Sequence, residues 1–191
     1  MSHSKLVEYL SGRWEEHTPR KMNASGYRQA AVLVGLTDAA QGPSLLLTQR
    51  SISMPTHQGE VAFPGGKWEQ TDASLVGTAL REAEEEVGLA SNGVTVVGEL
   101  DQVISKHGFV VTPVLAVIPE QAALIPDPRE IDSLFHVPVS RFLEPPDDYF
   151  RRSTWVMPTY LYDDYRIWGL TAFIIAEMMN RYWDTQIDVG F

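Results

Sequence analysis

Three glutamates on one predicted helix carry the strongest chemical signal in the sequence. Between Ala73 and Val87 there is no proline, and the apolar residues recur at helical spacing. Glu82, Glu85 and Glu86 stand at positions i, i+3 and i+4, so we expect their carboxylates on one face of this helix. Like charges at this spacing repel each other, and no lysine follows one turn later to relieve the repulsion. Hard oxygen ligands without a cationic partner suit Mg²⁺ or Mn²⁺.

Two interpretations of the glutamates stay open at this point. In the first they form a metal-binding face, with water positions left for substrate phosphates to displace. In the second they form a solvated acidic surface with no ligand. Arg81, one turn before Glu85, is the nearby cation in either case. The residues expected to face the core, roughly opposite the glutamates, form an apolar stripe of Val76, Leu80, Ala83 and Val87.

The predicted helix belongs to a longer pattern that begins at Gly66. Fifteen residues after Gly66 come Arg81 and Glu82, and then Glu85-Glu86 and Gly88-Leu89. The stretch 66–89 resembles the Nudix box, in which a glycine and a short loop with a glutamate precede Arg-Glu, a hydrophobic residue, any residue, Glu-Glu, any residue, Gly and a hydrophobic residue.

The stretch departs from that box in three places. The loop after Gly66 is one residue longer than usual, and its glutamate is replaced by Asp72 or lost against Ala73. The hydrophobic slot of the helix holds only Ala83. The resemblance therefore implies the helical ligands of Mg²⁺ or Mn²⁺ but no loop acid. The residues that it implies are the metal ligands Glu82, Glu85 and Glu86, the carbonyl of Gly66 as a further ligand, and Arg81 as the residue that orients the carboxylates.

A second motif precedes the box. Residues 46–66, LLTQRSISMPTHQGEVAFPGG, resemble the accessory motif of the coenzyme A pyrophosphatase branch of the Nudix hydrolases, and that branch also has the longer box loop. The resemblance implies substrate contacts from Arg50 and His57, and Lys67 follows the glycine pair as a third cation for phosphate. Each has a plainer interpretation, as a strand-end arginine, a structural donor and a solvated lysine. Pro55 stands where the branch has an arginine.

The family resemblance implies an activity and a mechanism. The expected reaction is divalent-metal-dependent hydrolysis of the diphosphate of coenzyme A or its derivatives. Glu130 occupies the place of one more acid that reaches the metals, and the general base is open between Glu82, Glu85 and Glu130. Two alternatives remain: a Nudix pyrophosphatase for ADP-ribose, NADH or other nucleoside diphosphate derivatives, and a nucleotide-binding module without turnover.

Composition restricts partners and location. The 191 residues suit one domain, 1–191, with a sizeable core. A formal net charge of -10 disfavours nucleic acid, so the expected partner is a small nucleotide diphosphate, with a homodimer as a compatible assembly. Cysteine is absent, and no apolar stretch is long enough to span a bilayer. We expect a cytoplasmic protein that does not bind membranes.

The pattern of elements predicts an α/β fold. The Nudix resemblance implies an α/β/α sandwich, with a mixed sheet between helices. Trp168 is expected to pack at the start of the last helix, with base stacking as its alternative role. The elements expected from periodicity and turn residues are helices at 4–16, 73–87, 139–143 and from 170 onward, paired strands at 30–36 and 44–48, a central hairpin of 94–103 and 109–118, a short strand around 135 and edge strands within 149–162.

Overall fold

The protein is described from a computed structural model over residues 3–23, 25–39, 41–52 and 58–190. Its helices are α1 (His3–Glu15), α2 (Leu75–Val87) and α3 (Gly169–Tyr182). Its strands are β1 (Arg28–Ala39), β2 (Gly42–Arg50), β3 (Val61–Ala62), β4 (Gly65–Lys67), β5 (Thr95–Glu99), β6 (Val103–Ile104), β7 (Phe109–Ile118), β8 (Ile131–Pro138), β9 (Asp148–Arg152), β10 (Trp155–Tyr162) and β11 (Tyr165–Ile167). Short 3-10 helices lie at Ser91–Gly93 and Val139–Leu143.

The main sheet is mixed, as the sequence predicts. Its strand order is β3-β2-β1-β7-β5, with β4 paired to β1, β6 to β7 and β8 to β2. Strands β1 and β7 are parallel along their whole length, and the other pairs are antiparallel. Strand β7 is buried from Val110 to Ile118, as expected for a strand covered on both faces.

The first two strands separate after their connection, and this separation creates the place for the site. Strands β1 and β2 pair only between Leu36↔Leu45 and Ala39↔Gly42. Farther along, β3 pairs with β2 and β4 pairs with β1, so the chain from 61 to 67 lies between the two strands. Gly65 and Gly66 are therefore held in the middle of the sheet.

Apolar side chains cover both faces of this sheet. Leu46 and Val114 point to the face that α2 covers, whereas Leu45 and Leu115 point to the face that α1 and α3 cover. This alternation follows the two-residue period of a strand. The expected arrangement, with helices on both faces of a mixed sheet, is confirmed.

Two expectations about the strands are wrong. The predicted strand 94–103 is divided into β5 and β6, because Trp14 packs over Gly98 and Leu100 donates its N–H to the Pro113 carbonyl at 2.8 Å. Its β5 part lies at an end of the strand order rather than at the centre. The strands expected within 149–162 are present as β9 and β10 of a separate three-stranded sheet, β11-β10-β9, in which β9 is an edge strand and β10 the central strand. No helix in the described ranges is long and apolar enough to cross a membrane.

Candidate active site

Helix α2 carries the box glutamates, and its ends are defined by side-chain and backbone caps. Ser74 accepts a hydrogen bond from the Gly77 N–H at 3.0 Å at the start of the helix. Gly88 ends the helix in the left-handed region, at φ 67°. The side of α2 that faces the sheet consists of small or short side chains, and Ala79, Ala83 and Val87 are fully buried there. Val76 and Leu80 of the predicted stripe are only half-buried.

Glu86 does not lie opposite the core as the sequence predicts. Only 4% of its side chain is exposed, and its carboxylate accepts hydrogen bonds from the Gly65 N–H at 3.0 Å and from Nη1 of Arg50 at 3.1 Å. Because Ala79 and Ala83, which face the sheet, have small side chains, the helix backbone comes near enough for Glu86 to reach the sheet. Glu86 is thus a buried acid at the boundary between α2 and the β3–β4 segment.

Arg81 connects the other two glutamates to the loop before the helix. Its Nη1 lies 3.0 Å from Oε1 of Glu82 and 3.1 Å from Oε2 of Glu85. Its Nη2 donates to the Lys67 carbonyl at 3.0 Å. The expectation that the carboxylates lack cationic partners is therefore wrong, since Arg81 and Arg50 contact all three of them. Glu85 remains 61% exposed, whereas Glu82 is 17% exposed.

Asp72 completes this network, although the sequence did not assign it a role. It receives two hydrogen bonds from Arg81, Nε to Oδ1 at 2.8 Å and Nη2 to Oδ2 at 3.0 Å. Thr78 and the Glu69 N–H also donate to Oδ2. These bonds, above all those from Arg81, hold the pKa of Asp72 well below its usual range. Its position in the box loop, in place of the usual glutamate, was the signal that could have identified it.

Burial and mutual repulsion raise the pKa of the acids nearest the sheet. Burial raises the pKa of Glu86 to about 7, against the opposing effects of Gly65 and Arg50. Burial also raises the pKa of Glu82, and Arg81 opposes the shift. Glu130 contributes repulsion to both groups, so the structure brings this distant acid near Glu82 and Glu86.

The loop after β7 positions Glu130. Its backbone contacts the end of α2, because the Asp127 N–H donates to the Glu86 carbonyl at 2.9 Å and the Ile125 N–H donates to the Val87 carbonyl at 2.8 Å. At its other end the Glu130 carbonyl accepts from the Ser51 N–H at 2.7 Å. The loop thus joins the glutamate helix to the end of β2, where Arg50 lies.

The three predicted substrate contacts are placed differently. Arg50 is 20% exposed and contacts Glu86, and its Nε is buried without a hydrogen-bond partner in the described part of the chain. Lys67 is exposed, and its carbonyl, not its side chain, contacts Arg81. His57 and Pro55 lie outside the described residues. Gly66 lies against the Glu82 carboxylate, which a Cβ at position 66 would overlap.

The donor set fits a hard divalent cation. Within the ranges that the structure describes, no three carboxylate or imidazole groups meet closely enough to hold a metal ion unaided. The arginines explain this, because Arg50 holds Glu86 while Arg81 holds Glu82 and Glu85. Even so, Glu82 and Glu86 have pKa values raised by burial and by Glu130, and a divalent cation would relieve that repulsion.

Alanine at the two glycines of the pair should separate folding from activity. A Cβ at Gly65 would overlap the Ala31 carbonyl and the Val32 backbone, so we expect Gly65→Ala to destabilise the protein by about 3 kcal/mol. At Gly66 the overlap is with the mobile end of Glu82, so Gly66→Ala should lower turnover with little change in melting temperature. Thermal unfolding and turnover of both variants test this, and equal loss of stability would contradict it.

Asp72→Asn should weaken the network around Arg81. Losing the paired charge should cost about 2 kcal/mol of the free energy of unfolding at pH 7. Because the folded-state pKa of Asp72 is lowered, its stabilisation is present above pH 3.8 and is lost as pH falls below that value. Urea unfolding of wild type and variant should therefore differ at pH 7 and converge in acid. Glu69→Gln in the same exposed loop is the control, and a gap that persists in acid would contradict the assignment.

Comparison with known proteins finds a matching family model and similar relatives. The family model described as NUDIX domain matches residues 26–167. The uncharacterized Nudix hydrolase NudL of Escherichia coli O139:H28 is 39% identical over 181 residues, which are 92% of this chain and 94% of that protein. NudL of Shigella boydii serotype 4 is 43% identical over 157 residues, covering 80% of this chain and 81% of that protein.

Solved structures show the same architecture. A Nudix hydrolase from M. smegmatis, RenU, matches with a TM-score of 0.52 at 25% identity, over 60% of this chain and 73% of that chain. A MutT/nudix family protein from Enterococcus faecalis matches with a TM-score of 0.54 at 16% identity, over 97% of this chain and 76% of that chain, and shows the fold alone.

The chain therefore belongs to the Nudix family. It is an enzyme of the pyrophosphohydrolase class, and Nudix hydrolases generally use divalent metal ions.

Proposed function

We propose that the protein hydrolyses the diphosphate of coenzyme A or its derivatives, in the presence of Mg²⁺ or Mn²⁺. The products are 4'-phosphopantetheine, or its acyl form, and adenosine 3',5'-bisphosphate. The observation that carries the proposal is the contact between Arg50 and Glu86 at 3.1 Å. It joins the stretch 46–66, whose sequence resembles the coenzyme A branch, to the helix that carries the box glutamates.

The acids of the site have distinct tasks in this proposal. Glu82, Glu85 and Glu86 are the proposed ligands of a divalent ion, and the Gly66 carbonyl is a further one. The bound ion would supply positive charge for the diphosphate oxygens and would make water more acidic. In the reaction a water oxygen bonds to one phosphorus while the bridging P–O bond breaks. A carboxylate accepts the proton of that water, and Glu82, Glu85 and Glu130 are the candidates. Burial raises the pKa of Glu82, which makes its carboxylate a stronger base than an exposed glutamate.

The cations have supporting tasks. Arg50 positions Glu86 and also offers its guanidinium to a substrate phosphate, since its Nε has no partner in the described residues. Arg81 positions Glu82 and Glu85 from the opposite side, with Asp72 fixing its orientation. Lys67 is exposed beside the glycine pair, where it can contact phosphate. His57 is also a proposed substrate contact, because it matches the accessory motif.

A product-resolved substrate comparison tests the proposal. Coenzyme A, ADP-ribose, NADH and diadenosine polyphosphates are incubated separately with the protein and Mg²⁺ or Mn²⁺, and the products are separated by chromatography. We expect adenosine 3',5'-bisphosphate and 4'-phosphopantetheine from coenzyme A, formed faster than AMP from any competitor. Excess chelator should stop the reaction. Cleavage of ADP-ribose or NADH with coenzyme A left intact would contradict the coenzyme A assignment and leave the pyrophosphohydrolase class standing.

A further inference from the structure

Trp168 is a large aromatic side chain that the core does not use. It precedes α3 as its N-cap residue and is 39% exposed, so the expectation that it packs at the helix start accounts for only part of its surface. Two cations flank its ring, with Nζ of Lys106 and Cζ of Arg166 each 5.6 Å from the ring centroid. Both cations are themselves exposed. An accessible indole offers a flat surface on which a nucleotide base can stack, and the two cations near it can contact an anion.

This group adjoins the accessory stretch of the candidate site. Nζ of Lys106 lies 3.8 Å from Oε1 of Glu60, and the Glu60 carbonyl accepts from the Arg50 N–H at 3.0 Å. On the other side, the Thr171 hydroxyl donates to the Val61 carbonyl at 3.0 Å. Trp168 is therefore connected, through Lys106, Glu60 and Arg50, to the acid Glu86. These contacts connect the aromatic group to β3, the strand that pairs with the strand carrying Arg50.

The local charge distinguishes this group from the protein as a whole. The chain carries a formal net charge of -10, which repels polyanionic substrates unless cations are placed at their binding positions. Arg81 is engaged by Asp72, Glu82 and Glu85, and Arg50 is proposed to contact the reacting diphosphate. Lys106 and Arg166, which face the same ring from exposed positions, can accept a phosphate that lies away from the reacting diphosphate.

We propose that Trp168, Lys106 and Arg166 form a subsite for an adenosine that carries a phosphate on its ribose, with the indole stacked on the base and the two cations contacting that phosphate. The inference rests on the proposed function, because a ribose phosphate separate from the diphosphate is what distinguishes coenzyme A from most other nucleoside diphosphates. A single ribose separates the base from the diphosphate in such a molecule, so its base subsite must lie near the diphosphate site, to which the contacts from Lys106 through Glu60 to Arg50 connect this group. Base stacking on an aromatic side chain contributes enough to change affinity about tenfold.

Trp68 is the competing candidate for a stacking residue. It is 43% exposed and follows Lys67 in the chain. It lies beside the start of β1, where its N–H donates to the Gln29 carbonyl. Among the described contacts, its ring is not flanked by a cation. Trp168 is therefore the better match to a base that carries a nearby phosphate, and the two tryptophans can be separated by experiment.

Calorimetric titration with adenosine 3',5'-bisphosphate and with AMP tests the subsite without requiring turnover. Wild type should bind the bisphosphate about tenfold more tightly than AMP. Trp168→Leu should weaken both nucleotides about tenfold, whereas Lys106→Ala and Arg166→Ala should remove most of the preference for the bisphosphate. Matched controls are Trp155→Leu and Arg152→Ala, exposed residues of the three-stranded sheet, which should change neither affinity. Melting temperatures show that each variant is folded.

Steady-state kinetics with coenzyme A and dephospho-coenzyme A give a second readout. Trp168→Leu should raise KM for both substrates about tenfold with kcat nearly unchanged, and Lys106→Ala should raise KM for coenzyme A alone. Unchanged nucleotide affinity in Trp168→Leu, or weakening by Trp68→Leu in its place, would overturn the subsite. If wild type leaves coenzyme A intact, the proposed function fails, and the calorimetric comparison still decides the subsite by itself.

Discussion

Glutamine in place of Glu82 or Glu86 is expected to lower turnover at least a hundredfold while the protein stays folded. Both carboxylates lie between α2 and the glycine pair, and both have pKa values raised by burial and by neighbouring acids. Removing one negative charge removes a ligand for the divalent ion on which the expected reaction depends. The loss should appear mainly in kcat, because these acids are proposed to act in the chemical step and not in binding the nucleoside.

Glu84 provides the matched control for this result. It is an exposed glutamate on the same helix, so Glu84→Gln makes the same chemical change outside the site. We expect Glu84→Gln to retain wild-type turnover and melting temperature. Turnover of Glu86→Gln equal to that of Glu84→Gln, or wild-type turnover in excess chelator, would contradict the role given to the box acids.

The metal-free protein should lose stability as pH rises, because Glu86 must ionise in a buried position. Its pKa is about 7 in the folded state against 4.5 for an ordinary glutamate. The proton is therefore held more tightly in the folded than in the unfolded chain, so the stabilisation is complete below pH 4.5 and is lost as pH rises through 7. The difference in pKa corresponds to about 3 kcal/mol in the free energy of unfolding.

Urea unfolding of wild type and Glu86→Gln in excess chelator measures this contribution, since the variant cannot ionise at this position. Other groups with shifted pKa values, including His17, His136 and Glu177, are common to both proteins, so their contributions cancel in the comparison. We expect the variant to gain stability over wild type between pH 5 and pH 8, and saturating Mn²⁺ to reduce the difference. A difference in stability that does not change with pH would show that burial does not raise the pKa of Glu86 in the folded protein.

The sequence was informative where the pattern is local. Helix α2 follows from its proline-free, periodic composition, and its end at Gly88 follows from the glycine that tolerates positive φ. The helix period predicts Glu82, Glu85 and Glu86 on one face, but it could not set how far the helix turns toward the sheet, and the structure buries Glu86 while Glu85 stays exposed. That rotation depends on the small side chains Ala79 and Ala83.

Contacts between distant parts of the chain were not predictable from periodicity. Arg50 meets Glu86 across 36 residues, and only a resemblance to a known motif drew attention to it. The predicted strand 94–103 is interrupted because Trp14 of α1 packs over Gly98, and no residue near 98 in the sequence indicates that contact. The sequence leaves open whether Asp72 replaces the loop glutamate, and the structure shows that Asp72 accepts two hydrogen bonds from Arg81.

Binding of Mn²⁺ is the property that tests the account most directly, because the box acids are proposed to act through a divalent ion. Calorimetric titration of Mn²⁺ into wild type, Glu84→Gln, Glu82→Gln and Glu86→Gln, without substrate, compares four proteins that differ by one charge or none. We predict equal binding by wild type and Glu84→Gln, and affinity lowered at least tenfold in Glu82→Gln and Glu86→Gln. Equal Mn²⁺ affinity in all four proteins, or no binding by the wild type, would contradict the proposed site.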